Sequence, residues 1–134
     1  MASIRKEILI DAPADAVWSA LRDFGALHER LVPGFVVDSR VEGDVRIVTF
    51  FNGAVAHERL VTIDDDHRRI VYTVIESPFG AAHHSAAAQV SADDDVRSRF
   101  VWITDVLPDE LAGPVDELME RGIAIMKTTL ESAA

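Results

Sequence analysis

The stretch RSRFVWITDVLPDELAGPVDELMERGIAIMKTTL, residues 97–130, changes rhythm partway along, and that change decides the fold. Up to Val106 the pattern has period 2: placing Arg97 and Arg99 in solvent leaves Phe100, Trp102 and Thr104 on the opposite face, as in a half-buried strand. Beyond it the period becomes helical. Leu111, Val115, Leu118, Met119, Gly122, Met126, Thr129 and Leu130 fall on one stripe of a single helix of about twenty residues. Pro108, with Asp109 and Glu110, suits its start, through the fixed φ of proline and acidic charge at the positive end of the helix dipole. Pro114 lies only a turn further in, where a missing N–H costs little.

Working back from this junction, period 2 persists for about seventy residues. Strands are expected over 54–63, 69–76, 82–91 and 97–106, preceded by a hairpin. In that hairpin Phe35, Val37, Ser39 and Val41 share a face, Gly43-Asp44 makes the turn, and Val45, Ile47, Thr49 and Phe51 oppose Arg46, Val48 and Phe50. Asn52-Gly53 marks the next turn. Short turns imply an antiparallel meander, because parallel neighbours need crossover connections. At the other end SIRKEILI alternates as a first strand, with Ile4, Lys6, Ile8 and Ile10 on one face. Asp11-Ala12-Pro13 stops it, and Val17, Trp18, Leu21 and Phe24 then recur as in a short amphipathic helix closed by Gly25. A second short helix is expected near 26–31, ended by Pro33-Gly34. The order predicts an α+β domain spanning 1–134: a curved antiparallel sheet of about seven strands wrapped around a long C-terminal helix, with two short helices after strand 1.

Composition removes several classes of function. With 23 acidic residues against 13 basic ones the net charge is −10, which repels phosphate backbones, so nucleic acid is not an expected partner. No apolar run approaches the roughly twenty residues of a membrane span, and the N-terminus lacks the continuous apolar stretch of a secretory signal, so the expected setting is the cytoplasm without membrane insertion. The absence of cysteine excludes disulfides, thiolate nucleophiles and cysteine-based metal sites. The acidic runs 64–66 and 93–95 sit between strands and read as turns rather than calcium loops, since no glycine and distal glutamate follow at the required spacing. His83 and His84 are adjacent on a strand and point to opposite faces, so no metal or other cofactor is expected.

The same parity argument assigns the concave face. Outward arginines leave Ile70, Tyr72, Val74 and Glu76 inside on one strand, and Ala56, Glu58, Leu60 and Thr62 on its neighbour. On the sixth strand His84, Ala86, Ala88 and Val90 point in. Small inward side chains leave volume unfilled, as a pocket requires, or let a helix approach closely. Glu58, buried, must be paired, hydrogen-bonded, protonated or in contact with cavity water. Glu58, Tyr72 and His84 are the candidates for proton transfer, and the same three with Leu60, Ala86, Ala88, Phe100, Trp102, Met119, Gly122 and Met126 are the candidates for ligand contact. Trp18 reads as a core residue. Phe51 and Phe79, each in a glycine-containing loop at one end of successive hairpins, are candidate lids.

Three segments carry a family resemblance: APADAVWSALRDF after the first strand, HERLVTIDDDHRRIVYTV, and FVWITDVLPDEL before the last helix. Together they resemble the superfamily of Bet v 1-like, START-like and polyketide cyclase proteins (SRPBCC) over essentially the whole chain. The resemblance implies a helix-grip fold with an internal cavity, and it embraces lipid carriers, hormone receptors and aromatase/cyclases. The expectation is therefore binding of a small hydrophobic molecule, a lipid, polyketide or aromatic metabolite. The alternative is a cyclase, aromatase or dehydratase using the same cavity, and pairing into a homodimer is left open.

Overall fold

The computed structural model describes residues 1–133; Ala134, the last residue of the expected domain, lies outside the described residues. Strand β1, Ala2–Ile10, buries Ile4 and Ile10 and leaves Arg5 and Glu7 in solvent, as its alternation requires. Helix α1, Ala14–Arg22, starts after Pro13 and buries Val17, Trp18 and Leu21. The expected glycine stop at Gly25 is not used: α1 ends at Arg22, and Gly25 sits within a following single turn, Phe24–Ala26. The second expected helix is one wide π-type turn, Leu27–Leu31.

Six strands follow, β2 Val36–Glu42, β3 Val45–Phe50, β4 Val55–Asp64, β5 Arg69–Glu76, β6 His83–Ala92 and β7 Ser98–Leu107. They form the expected antiparallel sheet, ordered β1-β7-β6-β5-β4-β3-β2, so the first two strands of the chain lie at opposite edges. A short turn, Asp109–Leu111, leads into α2, Ala112–Ala133, with Pro114 in its first turn. This is the helix-grip arrangement. Helix α2 buries Val115, Met119, Gly122, Ile123, Met126 and Leu130 against the concave face. It is tied to the β1 edge by Lys6 Nζ, which meets Asp116 at 2.6 Å and Glu120 at 2.9 Å, and by Lys127 Nζ, which donates to the Leu9 carbonyl at 2.7 Å.

Two bulges overturn parts of the predicted face assignments. A register shift between Val36 and Asp38 puts Val36 in the core and turns Val37 outward, whereas strict alternation groups Val37 with Phe35 and Ser39, which are buried; Val41, two residues on from Ser39, is exposed near the end of this edge strand. A second shift between Leu60 and Thr62 turns Thr62 outward, and Ile63 takes its place opposite Ile70. Glu76, expected inside, lies exposed at the end of β5, 3.9 Å from His57. The run 64–66 makes the predicted turn but does more than stay wet. Asp65 accepts from the Trp18 indole at 2.9 Å and from Arg22 at 2.8 Å, pinning α1 to the β4–β5 turn, and those donors, Arg22 first, hold its carboxyl below the usual range.

No described helix is long and apolar enough to cross a membrane.

Candidate functional site

Between the sheet and α2 lies a cavity of about 320 Å³. Its floor comes from the inward residues of β3 to β7. Its roof is α2, through Val115, Leu118, Met119, Gly122 and Met126, and one side is closed by Leu21, Leu27 and Leu31 from the helical segment. Gly122 is buried where a Cβ would stand 3.4 Å from Phe35 and 3.8 Å from Trp102, so a longer side chain there would press on two residues that line this space. The mouth is bordered by Phe51 and Asn52 from the β3–β4 loop, Pro78 and Phe79 from the β5–β6 loop, and Arg121 from α2. Both loops contain a glycine with positive φ, Gly53 at +84° and Gly80 at +58°, backbone that other residues rarely adopt. Phe51 is largely exposed, with the Arg121 guanidinium 4.8 Å from its ring centre. Phe79 packs inward, its ring 6.5 Å from that of His84.

Most of the sequence-derived candidates meet here. Glu58, Tyr72, His84, Ala88, Phe100, Trp102, Met119, Gly122, Met126, Phe51 and Phe79 all border the cavity. Leu60 and Ala86 do not: Leu60 packs against the hydrophobic core opposite Tyr72, and Ala86 is buried between Tyr72 and Thr104 on the neighbouring strands. In the cross-strand register each polar member faces an apolar neighbour, Glu58 opposite Val74, Tyr72 opposite Ala86, His84 opposite Val106 and Trp102 opposite Ala88.

Arg46 is the residue that sequence reasoning missed. Sending arginines outward places it in solvent, yet it is buried and faces Glu58 directly across β3 and β4. Its Nε donates to Glu58 Oε1 at 2.8 Å and its Nη1 to the Phe24 carbonyl at 3.1 Å, while the guanidinium stacks 4.2 Å from the Phe24 ring centre and 5.0 Å from that of Tyr72. The signal was present in the sequence. Counting outward from the Asn52-Gly53 turn pairs Thr49 with Val55, Val48 with Ala56 and Arg46 with Glu58, so a buried glutamate had its counter-ion three steps along the hairpin.

Burial and the charge of Glu58 push the Tyr72 hydroxyl well above its ordinary range, so it stays protonated and able to donate. Desolvation pulls His84 below the usual imidazole value despite the opposing pull of Glu58, which favours the neutral ring. Two buried polar atoms, Nδ1 of His84 and the indole Nε1 of Trp102, make no well-formed hydrogen bond among the described residues, although the indole lies against the Tyr72 hydroxyl. His83 points the other way and bonds to Ser85 at 3.0 Å. Among the described residues no group of three or more histidines, aspartates or glutamates could hold a metal ion.

Comparison with known proteins places this geometry in a family. No curated protein matches the sequence significantly. Among solved structures, a Thermobifida fusca protein is 28% identical with a TM-score of 0.82, covering 99% of this chain and 93% of its own. The Zhui aromatase/cyclase from Streptomyces sp. R1128 is 18% identical with a TM-score of 0.75, covering 98% of this chain and 92% of its own. Norcoclaurine synthase from Thalictrum flavum, solved with dopamine and hydroxybenzaldehyde, is 19% identical with a TM-score of 0.74, covering 98% of this chain and 85% of its own. The last two likenesses concern the fold. The family model described as polyketide cyclase / dehydrase and lipid transport matches residues 1–133, and the chain belongs to that family.

Proposed function

We propose that this protein binds a small, largely apolar molecule in the cavity beneath α2, in the cytoplasm, with the whole chain acting as one ligand-enclosing unit. The observation that carries the reading is the space itself: about 320 Å³ walled mainly by aliphatic and aromatic side chains, with a few polar groups gathered on one wall. Close packing is the rule in protein interiors, so a void of this size is kept by design of the sequence at Ala88 and Gly122. Phe51 and Phe79 border the opening and would meet a ligand as it enters. The solved relatives that act on or hold aromatic molecules support an aromatic or polyketide-like ligand.

Two experiments test this. Native mass spectrometry of the protein purified from its own host should reveal a co-purifying small molecule, and a neutral naphthalene fluorophore should bind with saturation at one site per chain. Gly122→Leu, which crowds Phe35 and Trp102 at the cavity wall, should reduce that binding more than it reduces stability. Absence of saturable binding by the parent protein would overturn the proposal.

A second reading, a cyclase or dehydratase acting on the same ligand class, is favoured by one specific observation. A neutral imidazole, a protonated phenol and the Arg46–Glu58 pair border one apolar cavity, which is the kind of set that moves protons along a polyketide chain. If turnover of such a substrate survives substitution of Glu58, Tyr72 and His84 alike, that reading fails.

A further inference from the structure

The charges and the unpartnered polar atoms of the cavity say something about the ligand itself. Five ionisable side chains border it: Arg46, Glu58, Tyr72 and His84 on the sheet, and Arg121 at the mouth. The first two neutralise each other at 2.8 Å, and Arg46 also donates to the Phe24 carbonyl, so its charge is committed within the protein. A ligand carboxylate pushed to the inner wall would face Glu58 and find no uncommitted cation there. What the inner wall does present is hydrogen bonding without charge. The Trp102 indole N–H, a pure donor, is buried against the Tyr72 hydroxyl without a well-formed hydrogen bond to it, and His84 Nδ1 is unpartnered among the described residues. The Tyr72 hydroxyl neighbours the Trp102 indole, and its raised ionisation range keeps it a donor. A buried donor with no partner is costly to a fold, and a ligand oxygen would satisfy it.

We infer that the ligand presents an uncharged oxygen, a carbonyl or hydroxyl, to Trp102 and its neighbour Tyr72 at the inner wall, and that the cavity rejects a carboxylate at that position. This deepens the binding proposal and rests on it. Any anionic group on the ligand would have to stay at the mouth beside Arg121.

Three naphthalenes of similar size separate the alternatives: acetylnaphthalene, with a neutral carbonyl; naphthoate, with a carboxylate; and ethylnaphthalene, with no oxygen. Each is titrated against bound phenylnaphthylamine in the parent protein and in Arg121→Gln, where the mouth offers no cation to an anion. The ketone should bind at least about tenfold more tightly than either counterpart, the worth of one hydrogen bond to a buried donor, and the ranking should hold in Arg121→Gln. In Trp102→Phe the ketone's advantage over ethylnaphthalene should fall several-fold. The inference is overturned if ethylnaphthalene equals the ketone in the parent protein, since no polar wall is then being read. It is also overturned if naphthoate equals the ketone in Arg121→Gln, since the wall then accepts a charge. If none of the three, nor phenylnaphthylamine, binds, the binding proposal itself has failed and this inference falls with it.

Discussion

Arg46 and Glu58 stand directly opposite one another on β3 and β4, both almost fully buried, and Arg46 joins that pair to the Phe24 carbonyl of the helical segment. One side chain thus ties the cavity wall to the short helical turns that close its side. An ion pair in such a place stabilises little by existing, because desolvation of the two charges offsets their attraction, but losing one partner strands the other.

The first prediction follows from that asymmetry. Arg46→Met should cost about 3–5 kcal/mol of unfolding free energy in urea denaturation, because Glu58 is left charged and buried. The double variant Arg46→Met/Glu58→Leu should recover most of that loss. If the single variant unfolds within about 1 kcal/mol of the parent, the pair is solvated and its part in holding the wall is wrong.

The two inward alanines of β6 make a paired prediction, because only one of them borders the void. Ala88→Leu extends into empty space and should leave stability within about 1 kcal/mol while blocking the naphthalene probe. Ala86, buried between Tyr72 and Thr104 and not itself part of the lining, has less free space before it, so Ala86→Leu should destabilise by about 1–3 kcal/mol. Calorimetry on the two variants decides it: equal losses would mean that the space beneath α2 is not positioned as described.

His84 gives a pH dependence of definite sign. Its ordinary value is 6.5, and burial pulls the folded value lower. Between those two values the unfolded chain holds more protons than the folded one, so stability falls as the pH is lowered through 6.5 and recovers as it is raised. Above 6.5 the imidazole is neutral in both states and contributes no slope. His84→Gln should flatten this acid-side decline, read as the difference in unfolding temperature between neutral and mildly acidic buffer. Identical declines in parent and variant would show that His84 titrates as in open chain.

Element order and most of the cavity's lining were legible because period-2 and helical rhythms leave separate marks on the sequence. What parity could not carry was a position at a bulge or next to one. Val37, at the bulge of its strand, and Thr62, just past the bulge of its own, follow the predicted alternation and still end in solvent, and no single residue type announces such an insertion. The error at Arg46 had another cause. The rule that arginine stays outside describes isolated side chains, whereas burial here is decided by the pair, and the partner lies across a turn instead of beside it in sequence.

The placement of β1 at the far edge, against β7, bears on how the chain is made. While a ribosome is still adding the meander, β1 has no strand to join, since Ala2 must wait for Val106 and Ile10 for Ser98. A nascent edge strand carrying Ile4, Ile8 and Ile10 on one side would be an adhesive surface for other unfinished chains. Lys6 interrupts that side with a charge whose acidic partners, Asp116 and Glu120, arrive only with the final helix. The same lysine that breaks the apolar side of the unpaired strand becomes a clasp once α2 docks.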